Sequence, residues 1–413
     1  MAPAGPPERS LLSLQPERVV APWMWASRAC PPNSILMHIV RVATEDAFGA
    51  LRTKWSALLS AAAANSIFLT WEWQYAWWQT YGQPNALTLL LAYDDRSRLC
   101  GIAPMHYSTV YVGPLRFRTL EFIGGRHVSS EYLDFIVRPD ATGDVAGAFL
   151  RHLSGSGDWD LLMGYHTPEA SATLTMLRNA PAGLPWTVTR RTENPYVPAG
   201  EWDTYLSQLS SNTRRNLRHY RRALDKAGGV FCEESSLIQA LPEIVRLHQL
   251  RMRDRRLPGS FASSRFLDFH QRVGRLFGER GWGRFFGVRL GDKMIAGMYG
   301  FAYEGTFSDY CVGFDPAYRN LGVGSVLRGH MIERGMADGL ETDFLDPGDY
   351  KEMWKPLRRW TVSYAVGSSV RALRAYERAT ATRARVVQTV KQVLPTGTAA
   401  RISIWKDQVF SRL

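Results

Sequence analysis

The sequence predicts an α/β protein in which one strand-and-helix unit occurs twice in tandem. Three observations carry this. Short apolar runs bounded by Gly, Asp and Pro alternate with segments of helical periodicity. The order of elements in residues 88–163 returns in residues 284–345. A glycine-bearing loop stands between a strand and a helix in the second copy only.

In the first copy, Thr88–Tyr93 reads as a strand, Asp94–Arg98 as a turn and Leu99–Val112 as a second strand. Glu131–Val137 reads as the third strand. A helix from about Thr142 to Leu153 and a short strand Trp159–Met163 follow. In the second copy, strand Arg284–Leu290, turn Gly291-Asp292 and strand Lys293–Phe301 lead to strand Phe307–Phe314. A helix from about Gly322 to Asp338 comes next, its apolar stripe set by Val323, Val326, Leu327, Met331 and Ile332, and then strand Glu341–Leu345. Details recur as well: Arg98-Leu99-Cys100-Gly101-Ile102-Ala103 parallels Lys293-Met294-Ile295-Ala296-Gly297-Met298. The Pro- and Gly-rich stretch Ala180–Gly200 reads as the join. The expected organisation is an extension at 1–36, a first domain at 37–195, a second at 196–370 and a basic helical tail at 371–413.

With 413 residues, 45% hydrophobic and 21% charged, the composition excludes wholesale disorder, collagen and coiled coil. The net charge of +12 has two sources. Residues 214–226 contribute +5 and residues 371–413 contribute +7, so the remainder is neutral and a general attraction to nucleic acid is not indicated. Four cysteines without a C-x-x-C pair suit neither a disulfide framework nor a zinc site, and the nine histidines lack ligand spacing, so no metal is expected. A reducing, cytoplasmic setting fits best. Trp55–Trp71 contains Ser56, Ser60, Asn65 and Ser66 and reads as a buried Ala-rich helix running into a strand, not a membrane span. Residues 1–35 lack the pattern of a secretory signal, and the first periodic pattern begins near Met37, where the native start is expected.

The second copy's loop reads Asp315-Pro316-Ala317-Tyr318-Arg319-Asn320-Leu321-Gly322-Val323-Gly324-Ser325. Gly322 and Gly324 let the backbone expose its amides, the following helix adds the positive end of its dipole, and Arg319 adds a charge. That combination suits a pyrophosphate. It lacks the Gly-Lys-Ser/Thr of a Walker loop, and Leu327 stands where a dinucleotide fingerprint needs its third glycine.

Arg-x-x-Gly-x-Gly between strand and helix resembles the acetyl-CoA loop of the GNAT N-acyltransferases. In that family the loop amides bind the coenzyme A pyrophosphate. The resemblance implies that Arg319, Asn320, Leu321, Gly322, Val323, Gly324 and Ser325 bind an acyl-CoA here, most simply acetyl-CoA. It also implies two tandem GNAT-like domains with helices packed on mixed, mostly antiparallel sheets. Phe68-Leu69-Thr70-Trp71-Glu72-Trp73 followed by Trp77-Trp78, and Asp343-Phe344-Leu345-Asp346-Pro347-Gly348-Asp349-Tyr350-Lys351 followed by Trp354, resemble the end signatures of the CelD-like tandem-GNAT group. That group is linked to cellulose or exopolysaccharide synthesis, which points to a sugar or small-metabolite acceptor. The resemblance covers about residues 37–370.

Residues 209–229 form a second motif. Ser210-Ser211-Asn212-Thr213 offers helix caps, Leu217, Tyr220 and Leu224 form one apolar stripe, and Arg214, Arg215, Arg218, Arg221 and Arg222 cover the rest. The segment resembles one in the FemAB peptidyltransferases, which move an amino acid from aminoacyl-tRNA. It reads either as a solvated helix face or as a clamp for a polyanion, with tRNA a partner only under that alternative. A scaffold that retains the fold without catalysis is the third reading.

Acyl transfer needs a group to take the amine proton and one to reprotonate the leaving thiolate. The GNAT resemblance implies Tyr350 for the thiolate. Asp309, inside a strand, and Asp343 and Asp346, at the last strand, are candidates for the amine proton. Lys351, matching a lysine before an aromatic in both resembled patterns, and Trp354 beside it are expected at the donor or acceptor. The first copy has Gly124-Gly125-Arg126-His127 instead of the loop, placed before its third strand, and is expected to shape the acceptor groove through Glu131 and Asp134, with His127 nearby. Trp71, Trp73, Tyr75, Trp77 and Trp78 suit either a packed helix or a sugar platform. The tail reads as a helix to about Gln392 and a last short helix after Pro395, docked on the second domain, with contact to anionic lipid the weaker reading.

Overall fold

The computed structural model describes residues 37–179 and 184–393. The predicted extension and the last short helix lie outside the described residues. Its strands are β1 (His38–Val42), β2 (Leu87–Tyr93), β3 (Leu99–Val112), β4 (Leu115–Phe122), β5 (Ile136–Val137), β6 (Leu161–Pro168), β7 (Trp186–Val197), β8 (Gly229–Glu234), β9 (Gly283–Leu290), β10 (Lys293–Tyr303), β11 (Thr306–Phe314), β12 (Glu341–Asp343) and β13 (Leu357–Gly367). The helices are α1 (Glu45–Gly49), α2 (Arg52–Ala61), α3 (Trp71–Tyr81), α4 (Thr142–Ser156), α5 (Ala172–Asn179), α6 (Trp202–Gln208), α7 (Ser211–Lys226), α8 (Leu237–Asp254), α9 (Ser264–Gly278), α10 (Val323–Ala337) and α11 (Val370–Val393).

The strands form one sheet in the order β1-β2-β3-β4-β6-β13-β7-β12-β11-β10-β9-β8, with β5 pairing β3 off that path. The duplication is visible in the pairing. In each copy an antiparallel hairpin (β2–β3, β9–β10) is extended by a third antiparallel strand (β4, β11). A helix (α4, α10) then leads to a strand running parallel to the third (β6, β12).

The copies exchange their final strands. β7, which follows β6 in sequence, pairs with β12 of the second copy, and β13, which follows β12, pairs with β6 of the first. β7 and β13 pair with each other from Tyr196–Leu357 to Trp186–Val366 at the centre of the sheet. Gly164 in β6 admits the exchange closely: a Cβ there would lie 2.2 Å from the ring of Tyr364 in β13.

Four expectations need correction. The tail helix α11 does not dock on the second copy: Tyr376 packs edge-on against Phe117 of β4 with ring centroids 5.8 Å apart, beside Val112 and Leu161 of the first. The stretch Ala180–Gly200 is not mainly a join, because β7 fills most of it. Its alternation places Thr192 and Asn194 in the interior, a strand pattern that its Pro and Gly neighbours obscured. The first copy's third strand is β4, and only Ile136–Val137 of Glu131–Val137 is strand. The stretch after α2 does not run into a strand. A short 3-10 turn at Ile67–Leu69 leads into α3, capped by Thr70, whose Oγ1 accepts from the Trp73 amide.

The aromatic motif proves to be core. Trp71, Trp73, Trp77 and Trp78 are buried. Trp73 meets Phe269, Phe301 and Tyr310 of the second copy with ring centroids 4.8, 5.5 and 5.6 Å away. The two copies thus share one hydrophobic core. A second cluster lies beneath α10, around Leu327, Met331, Phe307 and Trp354.

Candidate functional site

β11 and β12 are hydrogen-bonded only from Thr306–Glu341 to Ser308–Asp343. Beyond that point β12 ends, the Phe344 amide turns away to the Pro195 carbonyl, and β11 continues to Phe314. The result is a wedge with its apex at Ser308 and Asp343. β11 also bulges there: Tyr299 opposes Cys311 and Gly300 opposes Asp309, so Tyr310 is the extra residue. Bulges commonly re-aim groups beside a site.

The glycine loop opens on this wedge. Pro316–Leu321 is a 3-10 segment, Asp315 caps it through Ala317, and Gly322 at φ 59 turns the chain into α10. The Ser325 and Val326 amides fold back on the Gly322 carbonyl, so the Val323 and Gly324 amides of the first turn are the ones left without an intrahelical acceptor. A Cβ at Gly324 would meet nothing closer than Phe314 at 3.8 Å, so the approach on that side of the first turn is open. Donors, helix dipole and open approach fit a diphosphate. Arg319 pairs with Asp254 at 2.7 Å and donates to the Pro316 carbonyl. That pair is exposed on both sides and worth about 0–1 kcal/mol, so an incoming phosphate can displace it.

The basic helix α7 is not remote from this loop. Tyr220 packs on Gly322 so closely that a Cβ there would lie 2.3 Å from its ring, and Leu217 lies over Gly329. Ser210 caps α7 as expected, accepting from the Thr213 amide. Arg215, Arg218, Arg221 and Arg222 are exposed, and Arg221 pairs with Glu333 of α10 at 3.2 Å.

Inside the wedge, on the α10 side, Asp309 Oδ2 accepts from Arg328 Nε at 3.1 Å and Nη2 at 2.7 Å. Both side chains are buried. This engagement removes Asp309 from the role of free base, since its carboxylate already compensates a buried guanidinium. Arg328 in turn lies 4.9 Å from the ring of Tyr350, which is half exposed at the mouth. Sequence reasoning missed Arg328. The signal was an arginine set beside Val326 and Leu327 in an apolar helix stripe.

Lys351 and Trp354 are both taken up within the fold. The Lys351 ammonium is buried and donates to the Phe344 and Asp346 carbonyls and to Asp346 Oδ1, which uses all three of its protons. It pins the turn that carries Tyr350. Trp354 is buried against Gly329, and its carbonyl accepts from the Tyr205 hydroxyl. Asp346 is exposed and engaged with Lys351.

A second polar cluster lies on the opposite side of the wedge apex. Asp343 is fully buried. Its Oδ2 accepts from the Tyr132 hydroxyl at 2.5 Å and its Oδ1 from the Leu345 amide at 2.7 Å, with the Arg359 guanidinium 4.0 Å away. Burial pushes its carboxyl up to about 6, against the opposing pull of Arg359 and those hydrogen bonds. Glu131 adjoins: its Oε2 accepts from Asn194 Nδ2 at 3.0 Å and lies 2.8 Å from His166 Nδ1. Asn194 also donates to the Leu345 carbonyl and accepts from Thr361. Asp134 belongs elsewhere, accepting from Thr173 and the Phe135 amide, and burial pushes it too up to about 6.

With β4 as third strand, Gly124-Gly125-Arg126-His127 follows it as the glycine loop follows β11. The expected place, before the third strand, is thereby corrected. The first copy's own wedge is filled. Arg126 pairs with buried Glu121 at 2.8 Å and donates to the Tyr165 hydroxyl, and a Cβ at Gly125 would lie 2.7 Å from the Tyr165 ring. No group of His, Cys, Asp and Glu suited to a metal ion occurs among the described residues.

The description of one protein family, the GNAT acetyltransferase domain, matches residues 211–355. No curated protein matches the sequence. Among solved structures, FemX is similar with a TM-score of 0.56 at 9% identity, over 79% of this chain and 96% of that one. A conserved protein of unknown function from Bacteroides thetaiotaomicron VPI-5482 has a TM-score of 0.50 at 11% identity, over 80% of this chain and all of its own. Likeness at such identity concerns the fold. The domain match spans α7, the wedge, the glycine loop and the Tyr350 turn, and the chain therefore carries a GNAT acetyltransferase domain at residues 211–355.

Proposed function

We propose that the protein transfers an acyl group from an acyl-CoA, most simply acetyl-CoA, to an amine or hydroxyl of a sugar or small metabolite. The observation that carries this reading is the wedge between β11 and β12 with the α10 amides at its mouth. The Val323 and Gly324 amides would hold the diphosphate, Arg319 would exchange Asp254 for it, and the β11 edge would lie along the pantetheine arm. The bound thioester supplies the activated acyl group. Arg328, fixed by Asp309, orients Tyr350, whose hydroxyl can give its proton to the departing thiolate. Asp309 is thus a positioning residue here. The CelD-like signatures support a role in exopolysaccharide synthesis. Among the described residues no helix is long and apolar enough to cross a membrane. Calorimetric titration with acetyl-CoA tests the reading, and absence of binding would overturn it.

A second reading is Fem-type aminoacyl transfer. The exposed arginines of α7 beside the loop favour it, as does the likeness to FemX over most of both chains. Tight binding of charged tRNA without affinity for acetyl-CoA would select it.

A further inference from the structure

Loop and wedge leave one requirement unmet: a group that takes the acceptor's proton. Asp309 on the α10 side is committed to Arg328. The other side of the apex differs. In β12 the Thr342 hydroxyl faces α10, 3.4 Å from a Cβ placed on Gly335. Side chains alternate along a strand, so Asp343 faces the first copy. There the half-buried Tyr132 donates to Asp343 at 2.5 Å. Tyr132 at φ 58, His166 at φ 50 and Leu345 at φ 64 are non-glycine residues in the left-handed region, and all three belong to this one cluster. Each such residue costs roughly 1–3 kcal/mol and persists where surrounding structure enforces it, most often at functional sites.

We propose that Tyr132 and Asp343 form a proton relay for the acceptor, assembled from both copies of the fold. The inference rests on the acyl-CoA reading. The acceptor's N–H or O–H proton passes to Tyr132 Oη as the tyrosine's own proton passes to Asp343 Oδ2. The freed lone pair of the acceptor bonds the acyl carbon, and the C–S bonding pair leaves with sulfur, which Tyr350 protonates. Tyr132 touches the acceptor and is the catalytic residue of the pair. Asp343 acts through it. The charged and titratable groups facing Asp343 are Tyr132 from the loop before β5, Arg359 from β13 and Glu341 on its own strand, with the Leu345 amide on Oδ1. Burial leaves Asp343 ionised at neutral pH yet close to protonation, as a proton acceptor requires.

The test uses the full chain with Tyr132→Phe and Asp343→Asn. Acetyl-CoA affinity is measured first: loss in the wild-type protein overturns the coenzyme reading itself. Thiol release is then followed from pH 5 to 9, with glucosamine as acceptor and with water alone. Both variants are expected to keep affinity and lose at least about a hundredfold in turnover, the usual contribution of a positioned proton acceptor. The wild-type rate is expected to rise with pH through about 6, and Asp343→Asn to lose that limb. Without coenzyme, infrared difference spectra between acid and neutral pH are expected to lose a carboxylic-acid band in Asp343→Asn. That band's midpoint is expected to move upward in Tyr132→Phe, because the hydroxyl's hydrogen bond favours the ionised carboxylate. Unchanged turnover in both variants overturns the relay. So does a carboxylic-acid band whose midpoint is the same in Tyr132→Phe as in the wild type, a readout that needs no acceptor.

Discussion

Gly324→Val separates the loop's binding role from its role in folding. The new Cβ meets only the Phe314 ring, at 3.8 Å, an ordinary contact. Gly324 is the second residue of α10, so its loss removes a glycine penalty of about 0.5–1 kcal/mol, most of which the β-branched side chain returns. The net change in stability is within about 0.5 kcal/mol, or about 1–2 °C in Tm at about 2–4 °C per kcal/mol. The same side chain occupies the approach to the amides that would receive the diphosphate. Loss of one hydrogen bond to a charged group is worth about 1.5–3 kcal/mol, about a ten- to hundredfold drop in affinity for acetyl-CoA. Gly322→Val is the contrast. Its φ of 59 imposes roughly 1–2 kcal/mol on a residue with a Cβ, and the overlap with Tyr220 adds about 1–3 kcal/mol of overpacking. Scanning calorimetry and titration calorimetry read both variants. A Gly324→Val protein that binds acetyl-CoA like the wild type, or a Gly322→Val protein with unchanged Tm, would refute the reasoning.

Asp134→Asn is expected to stabilise the protein at pH 7 and not near pH 4. The folded carboxyl titrates at about 6 against 3.8 when free, so the native state binds the extra proton between these values and loses stability as pH rises through them. The shift corresponds to about 3 kcal/mol at most. Asn retains an Oδ1 for Phe135 and Thr173. Urea denaturation at both pH values measures it, and equal gains at both would contradict the assignment. Arg328→Met strands the Asp309 carboxylate in the interior and is expected to cost about 3–5 kcal/mol, much of it recovered when Asp309→Leu is added. A double-mutant cycle with additive effects would show that the pair is not coupled. Residues 37–200 and 201–393 produced separately are each expected to stay unfolded by circular dichroism, and to assemble when produced together, because each lacks the strand its sheet needs. Independent folding of either half would oppose this.

The elements of the second copy were legible because each carries its own local signal. Gly291-Asp292 marks a hairpin, Val323, Val326, Leu327 and Met331 mark a helix face, and Gly322 marks a left-handed start to that helix. The loop was legible for the same reason: it is contiguous in sequence. What remained hidden depends on contacts between distant residues. β7 reads as a linker in sequence because its burial is set by β13, some 170 residues later, and not by a strong apolar run of its own. Lys351 looked like an anion ligand because nothing in sequence shows that the Phe344 and Asp346 carbonyls turn inward to meet it. Arg126 could not be seen as a plug without knowing that β4 places it against Tyr165.

The exchange of β7 and β13 gives a physical reason for a first copy whose own wedge is filled. Asp343 belongs to the second copy, yet apart from the Leu345 amide the groups that surround it beyond its own strand come from the first copy and the exchanged strands. Tyr132 comes from the first copy's loop. Arg359 comes from β13, whose register is held by β6 through Gly164 and Tyr364, and its guanidinium lies 3.9 Å from the ring of Tyr196 in β7. Asn194, also in β7, ties Glu131 of the first copy to the Leu345 carbonyl of the second. Without the first copy, β13 would lack a neighbour on one side, and Asp343 would lose the Tyr132 hydroxyl while staying buried only in part. The first copy's contribution is therefore structural and chemical at once: it holds the returning strand, and it lays a tyrosine against the carboxylate at the apex of the second copy's wedge.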